Sequence, residues 1–452
     1  MPNFTTGTAN DRSGDDPRAR VPAARTPVQV SLDLPLGIWG RGRGTWLQLL
    51  HAVAIPLFVA GAVYGLHGEL SVALLVRLGP VMGLLIAAYA AASALHVRFD
   101  RFPFVHRVES ALLSASLTLG PAGGLLAVVL GPPSDTVALL ATGGTIGWFL
   151  LVHALPPPRA SQLLVVPGGA ANRLLALPEV SINGEADRTH ATTDRAEPLD
   201  GIVADLHDLP APTQDLLAEH GAEGAPVYHA DPLYRRLTAR IPLGALSEAS
   251  LEPRTSTGYR VAKRILDLLI IGATLPVTLL LIAATALAIR VGSRGPVLFW
   301  QERMGRHGEP FQMAKFRSMY VGHEGEERAV FAAEDDDRVT PVGQVIRQFR
   351  IDELPQIWNV LKGEMSLIGP RPEQVGLAEN FGDALQLYHA RHLVRPGITG
   401  WAQVLQGYAA DVDETRRKLE HDLYYVEHRS VLLDLLIVYL TVKTLLTGGG
   451  AR

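Results

Sequence analysis

The chain has 452 residues, a formal net charge of −4 and no cysteine. This length accommodates two or three domains, the charge argues against a nucleic-acid partner, and the lack of cysteine excludes disulfides and thiolate metal sites. Hydrophobic residues make up 48% of the chain, which is high for a soluble protein and indicates membrane segments.

The first 44 residues are polar and rich in Pro, Gly, Thr, Asp and Arg, with few large apolar residues before Val28. Such a composition buries too little apolar surface to form a core. We therefore expect residues 1–44 to be a disordered tail.

Four apolar stretches follow within residues 45–156, and each approaches the roughly 20 residues that a helix needs to cross a bilayer. They are Trp46–Leu66, Leu78–Leu95, Ala111–Leu130 and Val137–Leu155. Basic residues precede the first stretch, separate the second from the third and follow the fourth. By the positive-inside rule, these charges predict a bundle of four transmembrane helices with both ends in the cytoplasm.

Residues 160–243 alternate between strand-like and helix-like patterns. Three short strands are predicted: Gln162–Val166, Gly201–Leu206 and Ala225–Tyr228. A glycine turn and a helix through Leu177 follow the first strand. This order is typical of a small α/β domain. Its glycines do not form G-x-G-x-x-G, so no bound dinucleotide is indicated. Residues 244–258 read as a linker.

The stretch Leu268–Ile289 is a fifth apolar segment, long enough for a helix of about 33 Å. Basic residues flank both of its ends, so a crossing would place one basic pair on the wrong side. Pro276 lies near its middle and removes a backbone hydrogen bond. We expect a re-entrant helix over residues 264–290 that bends at Pro276. An ordinary span with a proline kink stays open, and it would place the residues that follow outside the cell.

The C-terminal stretch Val431–Leu446 is apolar but contains Asp434 and Lys443. This pattern favours an amphipathic helix lying on the membrane. Packing of the helix into a protein core is the alternative.

Two adjacent carboxylates, Asp352 and Glu353, precede Pro355, which can open a helix. Free N–H groups and the macrodipole at a helix start favour bound phosphate. A carboxylate that attacks phosphorus also needs cations beside it, and Arg347, Arg350 and Arg371 are candidates. The alternative is a capped, salt-bridged helix start without a catalytic role.

Several further motifs surround these carboxylates in a fixed order. They are Lys263-Arg264-x-x-Asp267, Gly295-Pro296-x-x-Phe299-x-Gln301-x-Arg303-x-Gly305, Lys315-Phe316-Arg317-Ser318-Met319, Trp358-Asn359-Val360-x-Lys362-Gly363, Gly369-Pro370-Arg371-Pro372 and Arg395-Pro396-Gly397-Ile398-Thr399-Gly400-Trp401-Ala402-Gln403. The ordered series resembles the bacterial sugar transferase family, the polyprenyl-phosphate hexose-1-phosphate transferases.

The resemblance implies an α-helical membrane protein with α/β parts, the long form of the family. It would comprise the four transmembrane helices, a degenerate Rossmann-like domain at 160–243 and a catalytic domain at 259–447 anchored by the re-entrant helix. It also implies the bacterial inner (cytoplasmic) membrane, with the catalytic domain in the cytoplasm. Homo-oligomer formation stays open.

The implied reaction uses a UDP-sugar and undecaprenyl phosphate. Asp352 would attack the β-phosphate and release UMP, leaving a phosphosugar–aspartate intermediate. Glu353 would then deprotonate the lipid phosphate. Mg²⁺ would be held partly by Asp352. The sugar can be glucose, galactose or an N-acetylated sugar, and the polysaccharide is an exopolysaccharide or an O-antigen.

Other residues are assigned by matching the family's motifs. Arg347 and Arg371 would bind phosphate bidentately. Lys315 and Arg317 flank Phe316 in a predicted strand, so they share a face. They would also bind phosphate, with surface ion pairing as the alternative. Lys263, Arg264 and Pro276 would lie at the lipid phosphate and the interface, where plain snorkelling is the alternative. The loop residues Arg395, Thr399 and Gln403 would contact the nucleotide sugar, or form only a structural turn.

The chain departs from the family at Arg350, where a small polar residue is usual, and at Leu405-Gln406-Gly407, where Asn-Gly-Arg is usual. Neither change removes a presumed catalytic group. A non-catalytic scaffold for polysaccharide assembly is the competing function, although a scaffold has no use for the carboxylates and their arginines. A CDP-alcohol phosphotransferase would need a multi-aspartate motif that the sequence does not contain.

Overall fold

The computed structural model describes residues 28–32, 54–64, 66, 78–100, 102, 105, 107–130, 134–154, 161–177, 181–182, 200–206, 214, 218, 226–245, 256–321, 338–406 and 412–447. The chain divides into two compact units, Met1–Thr238 and Ala239–Arg452. The linker predicted at 244–258 falls mostly outside the described residues.

The first unit begins with strand β1 and continues with four helices. They are β1 (Val28–Leu32), α1 (Ala54–Tyr64), α2 (Gly79–Phe99), α3 (Arg107–Leu130) and α4 (Ser134–Ala154). Helices α2, α3 and α4 are long and apolar enough to cross a membrane, as predicted for the second, third and fourth spans. The described part of the first predicted span is the shorter α1, and residues 46–53 lie outside the described residues.

Small residues allow these helices to pack closely. A Cβ on Gly123 of α3 would lie 2.5 Å from Thr142 Cγ2 of α4, so only glycine fits at this contact. Buried leucines and alanines fill the remaining space, among them Leu85, Leu119 and Ala138. A leucine side chain packs equally well against a neighbouring helix and against lipid, so it does not favour helix pairing. Close approach of the two backbones is therefore what specifies which helices pair in a bilayer.

The α/β part of the first unit is a five-stranded sheet in the order β3-β1-β2-β4-β5. Its further elements are β2 (Ser161–Val165), α5 (Gly169–Leu175), β3 (Ser181–Ile182), β4 (Gly201–Ala204), β5 (Val227–His229) and α6 (Ala230–Thr238). Strands β2, β4 and β5 are parallel, while β1 runs antiparallel to both β2 and β3. The three strands and the helix predicted from the sequence are therefore confirmed.

Strand β1 corrects the prediction of a disordered N-terminal segment for residues 28–32. Val30 is buried in the same cluster as Leu163, and β1 pairs with β2 along its whole length. The alternation Val28-Gln29-Val30-Ser31-Leu32 has the period of a half-buried strand, which the polar composition of the surrounding residues obscured. The rest of segment 1–44 lies outside the described residues.

The second unit contains one very long helix, two small sheets and several short helices. They are α7 (Thr257–Gly292), β6 (Leu298–Met304), β7 (Pro310–Phe316), α8 (Pro341–Gln348), α9 (Ile357–Lys362), β8 (Ser366–Ile368), α10 (Val375–Ala384), β9 (Gly397–Thr399), α11 (Trp401–Leu405), α12 (Val412–His428) and α13 (Val431–Thr447). Strands β6 and β7 form an antiparallel hairpin, and β8 pairs with β9 in parallel.

Helix α7 is one continuous helix from Thr257 to Gly292 with Pro276 inside it. The bend at Pro276 and the re-entrant geometry stay predictions. Helix α7 is the fourth helix in the described part of the chain that is long and apolar enough to cross a membrane. Its buried residues recur every four or seven positions and so share one face: Asp267, Ile271, Thr278, Thr285 and Ile289. This face packs on the rest of the second unit.

Helix α13 packs into the protein core, which was the alternative to a helix lying on the membrane. Leu433, Leu436 and Ile437 are buried. Asp434 is fully buried, and its carboxylate accepts hydrogen bonds from the Tyr259 and Tyr425 hydroxyls at 2.9 Å each. An unpaired carboxylate would be costly there. The two tyrosine hydroxyls offset that cost, which explains how a charged residue is accommodated in an apolar helix.

Asn359 joins α9 to strand β7. Its side chain is fully buried, accepts from the Ala314 N–H at 3.1 Å and donates to the Gln312 carbonyl at 2.7 Å. It therefore satisfies two backbone groups of β7 on the side away from β6. Because α9 follows directly after the predicted carboxylates, this contact holds their segment against the hairpin.

Replacing Asn359 with Ala should lower the free energy of unfolding by about 2–4 kcal/mol, because two buried backbone groups lose their partner. The measurement is the thermal unfolding midpoint of the protein in detergent. The matched control is Asn380→Ala, at an exposed position of α10. Equal midpoints for the two variants would contradict a clamping role for Asn359.

Candidate active site

The two carboxylates lie on a 3₁₀ helix, Ile351–Gln356, that precedes α9. Pro355 is inside this turn, and α9 begins at Ile357, two residues later, so Pro355 does not itself open the α-helix. Ile351 and Leu354 pack into the apolar cluster around Ile289 of α7. The residues between them, Asp352 and Glu353, are left to face the arginines.

Glu353 is buried and forms an ion pair with Arg371, whose Nη2 lies 2.6 Å from Glu353 Oε1. Arg350 Nη1 is 3.7 Å from the same oxygen. Burial alone would raise the pKa of Glu353, but Arg371, Lys315 and Arg350 outweigh it and lower the pKa to about 2. Glu353 is therefore ionised at neutral pH, and Arg371 is its fixed partner.

Asp352 has a different environment. Its Oδ1 atom is buried and has no hydrogen-bond partner in the described structure. Burial and the neighbouring Glu353 charge raise its pKa, while Lys315, Arg350 and Arg347 oppose the rise. A carboxylate oxygen without a hydrogen-bond partner in the protein is chemically available, and the three cations favour its ionised form.

Five cations form a group at the two carboxylates: four of them act on the carboxylates directly, and Arg303 acts on one of these four, Lys315. The site therefore has an excess of positive charge. Lys315 belongs to β7, and burial and Arg371 lower its pKa. Arg347 of α8 is held by Ser318, to which its Nε donates at 2.9 Å. The full set is Lys315, Arg303, Arg347, Arg350 and Arg371. Such an excess fits an anion with several negative charges.

Arg303 was part of a quoted motif but was given no role from the sequence. It is buried on β6, and its Nη1 donates to the Pro372 carbonyl at 3.4 Å. It also acts electrostatically on Lys315. The signal for a role of Arg303 is its burial. Arginine is seldom fully buried, and this one lies on a strand in which buried and exposed residues alternate.

Arg317 does not join this group. It is buried, and it donates to the Ser293 and Arg294 carbonyls, at 3.0 and 2.9 Å, and to Ser293 Oγ at 2.6 Å. These groups are at the C-terminal end of α7, where carbonyls lack helical partners. Strand β7 ends at Phe316, so Arg317 and Lys315 do not share a strand face. Arg317 caps the end of α7, and phosphate binding by Arg317 stays a prediction.

Lys263 and Arg264 also have protein partners. Lys263 Nζ lies 3.2 Å from Asp434 Oδ1, and Arg264 donates to the carbonyls of Val360 and Leu361 at the end of α9, at 2.7 and 2.9 Å. Contact of these two residues with a lipid phosphate stays a prediction, as does the interfacial role of Pro276.

The loop residues lie beside the segment that contains Arg371. Gly369 N donates to the Thr399 carbonyl, and Gly397 N donates to the Pro370 carbonyl, at 2.9 Å each. Gln403 Nε2 donates to the Ile398 carbonyl, and the Thr399 hydroxyl pairs with Thr441. Arg395 is exposed, and burial of part of its side chain together with Arg306 and Arg264 lowers its pKa. Nucleotide contact by Arg395, Thr399 and Gln403 stays a prediction.

Comparisons with known proteins place this site in context. A family model described as bacterial sugar transferase matches residues 258–448. The chain is 48% identical over 258 residues to UDP-N-acetylgalactosamine-undecaprenyl-phosphate N-acetylgalactosaminephosphotransferase of Aeromonas hydrophila, covering 56% of this chain and 60% of that protein. It is 42% identical over 203 residues to UDP-glucose:undecaprenyl-phosphate glucose-1-phosphate transferase of Caulobacter vibrioides, covering 44% and 74%.

A third relative is the exopolysaccharide production protein PSS of Rhizobium leguminosarum, at 36% identity over 194 residues, covering 42% of this chain and 97% of that protein. The match spans less than two thirds of several longer relatives, including 60% of the Aeromonas protein and 44% of undecaprenyl-phosphate glucose phosphotransferase of Komagataeibacter xylinus.

The Glu353–Arg371 pair predicts a pH dependence of stability. The pKa of Glu353 is depressed from 4.5 to about 2, so its stabilising contribution is present above pH 4.5 and is lost as the pH falls from 4.5 towards 2. Arg371→Gln should destabilise the protein by about 3 kcal/mol at pH 7. The difference from wild type should narrow below pH 4.5, measured as thermal unfolding midpoints.

The matched control is Arg416→Gln, at an exposed position of α12, for which we expect a small difference from wild type at every pH. A difference between wild type and Arg371→Gln that widens on acidification would show that the ion pair does not stabilise the fold.

Proposed function

Because the chain belongs to the bacterial sugar transferase family, we propose that it transfers a sugar-1-phosphate from a UDP-sugar to undecaprenyl phosphate and so initiates the synthesis of an exopolysaccharide or an O-antigen. The observation that carries this proposal is the buried, unpaired Oδ1 of Asp352 at the group of five cations. The printed activities of the Aeromonas and Caulobacter relatives support the substrates.

In the proposed first step, an Asp352 oxygen forms a bond to the β-phosphorus of the UDP-sugar. The bond between that phosphorus and the bridging oxygen breaks, and UMP leaves with the electron pair. In the second step, an oxygen of undecaprenyl phosphate attacks the same phosphorus and Asp352 regains its carboxylate. Phosphoryl transfer depends mainly on positioning and charge neutralisation, which Arg371, Lys315 and Arg347 would supply.

Glu353 is better suited to orienting Arg371 than to removing a proton. A carboxylate with a pKa of about 2 is a weak base at neutral pH, and the Arg371 pair at 2.6 Å occupies one of its oxygens. We therefore assign Glu353 the placement of the Arg371 fork beside Asp352. The role of general base inferred from the family resemblance would require this pair to open.

Asp352 fits the proposed Mg²⁺ ligand set. Magnesium in phosphoryl-transfer sites takes one or two carboxylates and completes its shell with substrate phosphates and water, and Asp352 Oδ1 is a free carboxylate oxygen. Among the described residues, no group of three or more His, Asp or Glu side chains could hold a metal ion without a substrate. The ion would neutralise charge on the diphosphate.

The acceptor lipid gives meaning to the position of the carboxylates. Ile351 and Leu354, on either side of them, belong to the same apolar cluster as Ile282 and Ile289 of α7, and the turn contacts that helix. A polyprenyl phosphate keeps its chain in the bilayer and its phosphate at the surface. Anchoring the turn on a membrane helix would bring Asp352 to the level of that phosphate.

We propose that α7 enters one leaflet only and that the catalytic unit lies in the cytoplasm. Both halves of α7 contact this unit: Ile271 packs with Phe311 and Met313, and Ile289 packs with Phe316. A helix crossing the bilayer would need the same unit on both sides of the membrane. The opposite face of α7 is exposed and apolar, and it would contact lipid: Val261, Ile265, Leu268, Leu269, Leu275, Leu279, Leu280, Leu287 and Val291.

For the first unit we propose four transmembrane helices in the bacterial cytoplasmic membrane, followed by a degenerate Rossmann-like domain. In such folds a helix N-terminus next to a glycine turn receives a phosphate. Here Asp205 Oδ2 accepts from the Ala170 N–H at 2.8 Å at the start of α5, and a Cβ on Gly169 would clash with that carboxylate. The chain's own anion thus supports a ligand-free domain.

Asp352→Asn should abolish UMP release from a UDP-sugar, because an amide cannot act as the nucleophile. Wild type incubated with the UDP-sugar alone should carry a sugar-phosphate adduct on Asp352, detected by mass spectrometry of peptides. Glu364→Gln, an acid of the same unit outside this site, is the control. An adduct on Glu353 would reverse the assignment, and full activity of Asp352→Asn would show that Asp352 is not the nucleophile. Absence of UMP release by the wild type would favour a scaffold.

The topology of α7 is tested with single cysteines, since the native chain has none. Arg260→Cys and Arg294→Cys lie at exposed positions near its two ends. Both should react only with a reagent admitted to the cytoplasm, as should Arg98→Cys near the end of α2, the reference for that side. Labelling of residues 260 and 294 from opposite sides would prove that α7 crosses.

A further inference from the structure

Arg391 is a buried arginine with an unusually complete set of partners. It lies on the 3₁₀ helix Tyr388–Leu393 and is 3% exposed. Its Nε and Nη2 donate to Asp422 Oδ2, at 3.1 and 2.7 Å, and its Nη1 donates to the Tyr388 hydroxyl at 2.9 Å. These contacts fix the plane of the guanidinium.

The remaining bond of Arg391 reaches the active-site loop. Its Nη2 also donates to the backbone carbonyl of Arg371 at 2.9 Å. The next two carbonyls along the chain are held as well: Pro372 accepts from Arg303 Nη1 at 3.4 Å, and Glu373 accepts from the Met304 N–H at 2.9 Å. Three consecutive carbonyls are therefore held by three separate donors, and Arg391 holds the residue whose side chain pairs with Glu353.

The charges around Arg391 balance. Lys418 Nζ lies 2.6 Å from Glu373 Oε1, and Arg391 Nη1 lies 3.7 Å from the same oxygen. With Asp422 the group contains two cations and two carboxylates. Replacing a balanced buried group by apolar residues often costs little stability or even gains some. Stability alone therefore does not account for placing four charges behind this loop.

A positioning role does account for it. Arg371 must place a planar fork on Glu353 beside Asp352, and a side chain of that length is only as well placed as the backbone that carries it. Displacement of a reacting group by about 1 Å can cost 10²-fold in rate. The rigid, five-donor guanidinium of Arg391 fixes both Asp422 of α12 and the Arg371 carbonyl at once, which a lysine ammonium cannot do in one plane.

We propose that Arg391 is a positioning residue, which acts through the backbone carbonyl of Arg371 to set where the Arg371 fork meets Glu353 at the transferred phosphate. The expected effect of Arg391 on the reaction rate rests on the proposed function. The expected effect on the structure of the loop does not. Arg391 touches neither Asp352 nor Glu353 in any of its hydrogen bonds above, so the effect must pass through the loop.

The test compares Arg391→Lys with Arg240→Lys. Arg240 is a matched control because its Nη1 pairs, at 3.9 Å, with Glu420 on the same helix as Asp422. Arg391→Lys should lower kcat by about 10- to 100-fold with a KM for the UDP-sugar within about threefold of wild type. Arg240→Lys should change none of these.

A second measurement does not depend on activity. Hydrogen–deuterium exchange of the peptide containing residues 369–374 should increase in Arg391→Lys and stay at the wild-type level in Arg240→Lys. If wild type releases no UMP, the proposed function fails, while the exchange result still decides whether Arg391 holds the loop. If Arg391→Lys does not fold, Tyr388→Phe, which removes only one bond to Nη1, replaces it and should show the same changes at smaller size.

Three results would overturn the proposal. One is wild-type kcat in a folded Arg391→Lys or Tyr388→Phe protein. Another is a loss of kcat without any change in loop exchange. The third is an equal loss in Arg240→Lys, which would indicate a general effect of weakening ion pairs on α12.

Discussion

The organisation of the second unit depends on the buried pair between Glu353 and Arg371. Two adjacent carboxylates in a partly buried turn repel each other, and both resist ionisation when water is excluded. Arg371 at 2.6 Å neutralises Glu353, which leaves Asp352 as the carboxylate with a bare oxygen. One acid is thus committed to structure and the other is available for chemistry. The division comes from a single guanidinium, so everything that places Arg371 also determines which acid keeps a bare oxygen.

Close backbone contacts extend this constraint to the neighbouring loop. A Cβ on Gly397 would lie 2.1 Å from the Gly369 nitrogen, and a Cβ on Gly400 would lie 2.1 Å from the Gly369 carbonyl oxygen. No side chain fits at either position. The Gly-x-x-Gly spacing in the Arg395–Gln403 loop is therefore explained by contact with the segment that contains Arg371. This structural reason is sufficient for the glycines, whether or not the loop also contacts a nucleotide.

Sequence patterns predicted elements where the pattern is local. Hydropathy found the long helices α2, α3 and α4, and short alternating runs found β2, β4 and β5, because one segment contains all the information. Motif order found Asp352, Glu353, Arg347 and Arg371 together, and the structure places them together. Sequence patterns do not predict the partner of a side chain when that partner is distant in the chain. Arg317 reads as a phosphate ligand in sequence, yet its hydrogen bonds go to the end of a helix whose last residue lies 25 positions earlier.

The same limitation affected the charged residues of the apolar helices. Lys263 and Asp434 are separated by most of the second unit in sequence, and their contact at 3.2 Å follows only from the packing of α7 against α13. Read alone, each suggested a membrane surface. The prediction for Val28–Leu32 was wrong for the opposite reason. The alternating pattern of a strand was present, but it covers only five residues of a 44-residue segment whose polar composition indicated disorder.

Helix α7 illustrates why apolar length does not decide membrane topology by itself. Its hydropathy is the highest among the candidate spans in the described part of the chain, and Pro276 does not interrupt it. Length and composition therefore favour a crossing. Packing opposes one: the residues at spacing four and seven from Asp267 to Ile289 all meet a single protein unit, and Asp267 accepts from Ser366 and Leu367 of that unit. A helix that gives one complete face to a polar domain has only its other face for lipid. Such a helix would meet the polar domain with one face and lipid with the other if it lay within one leaflet, as proposed above. The turn that contains Asp352 would then lie directly above the helix.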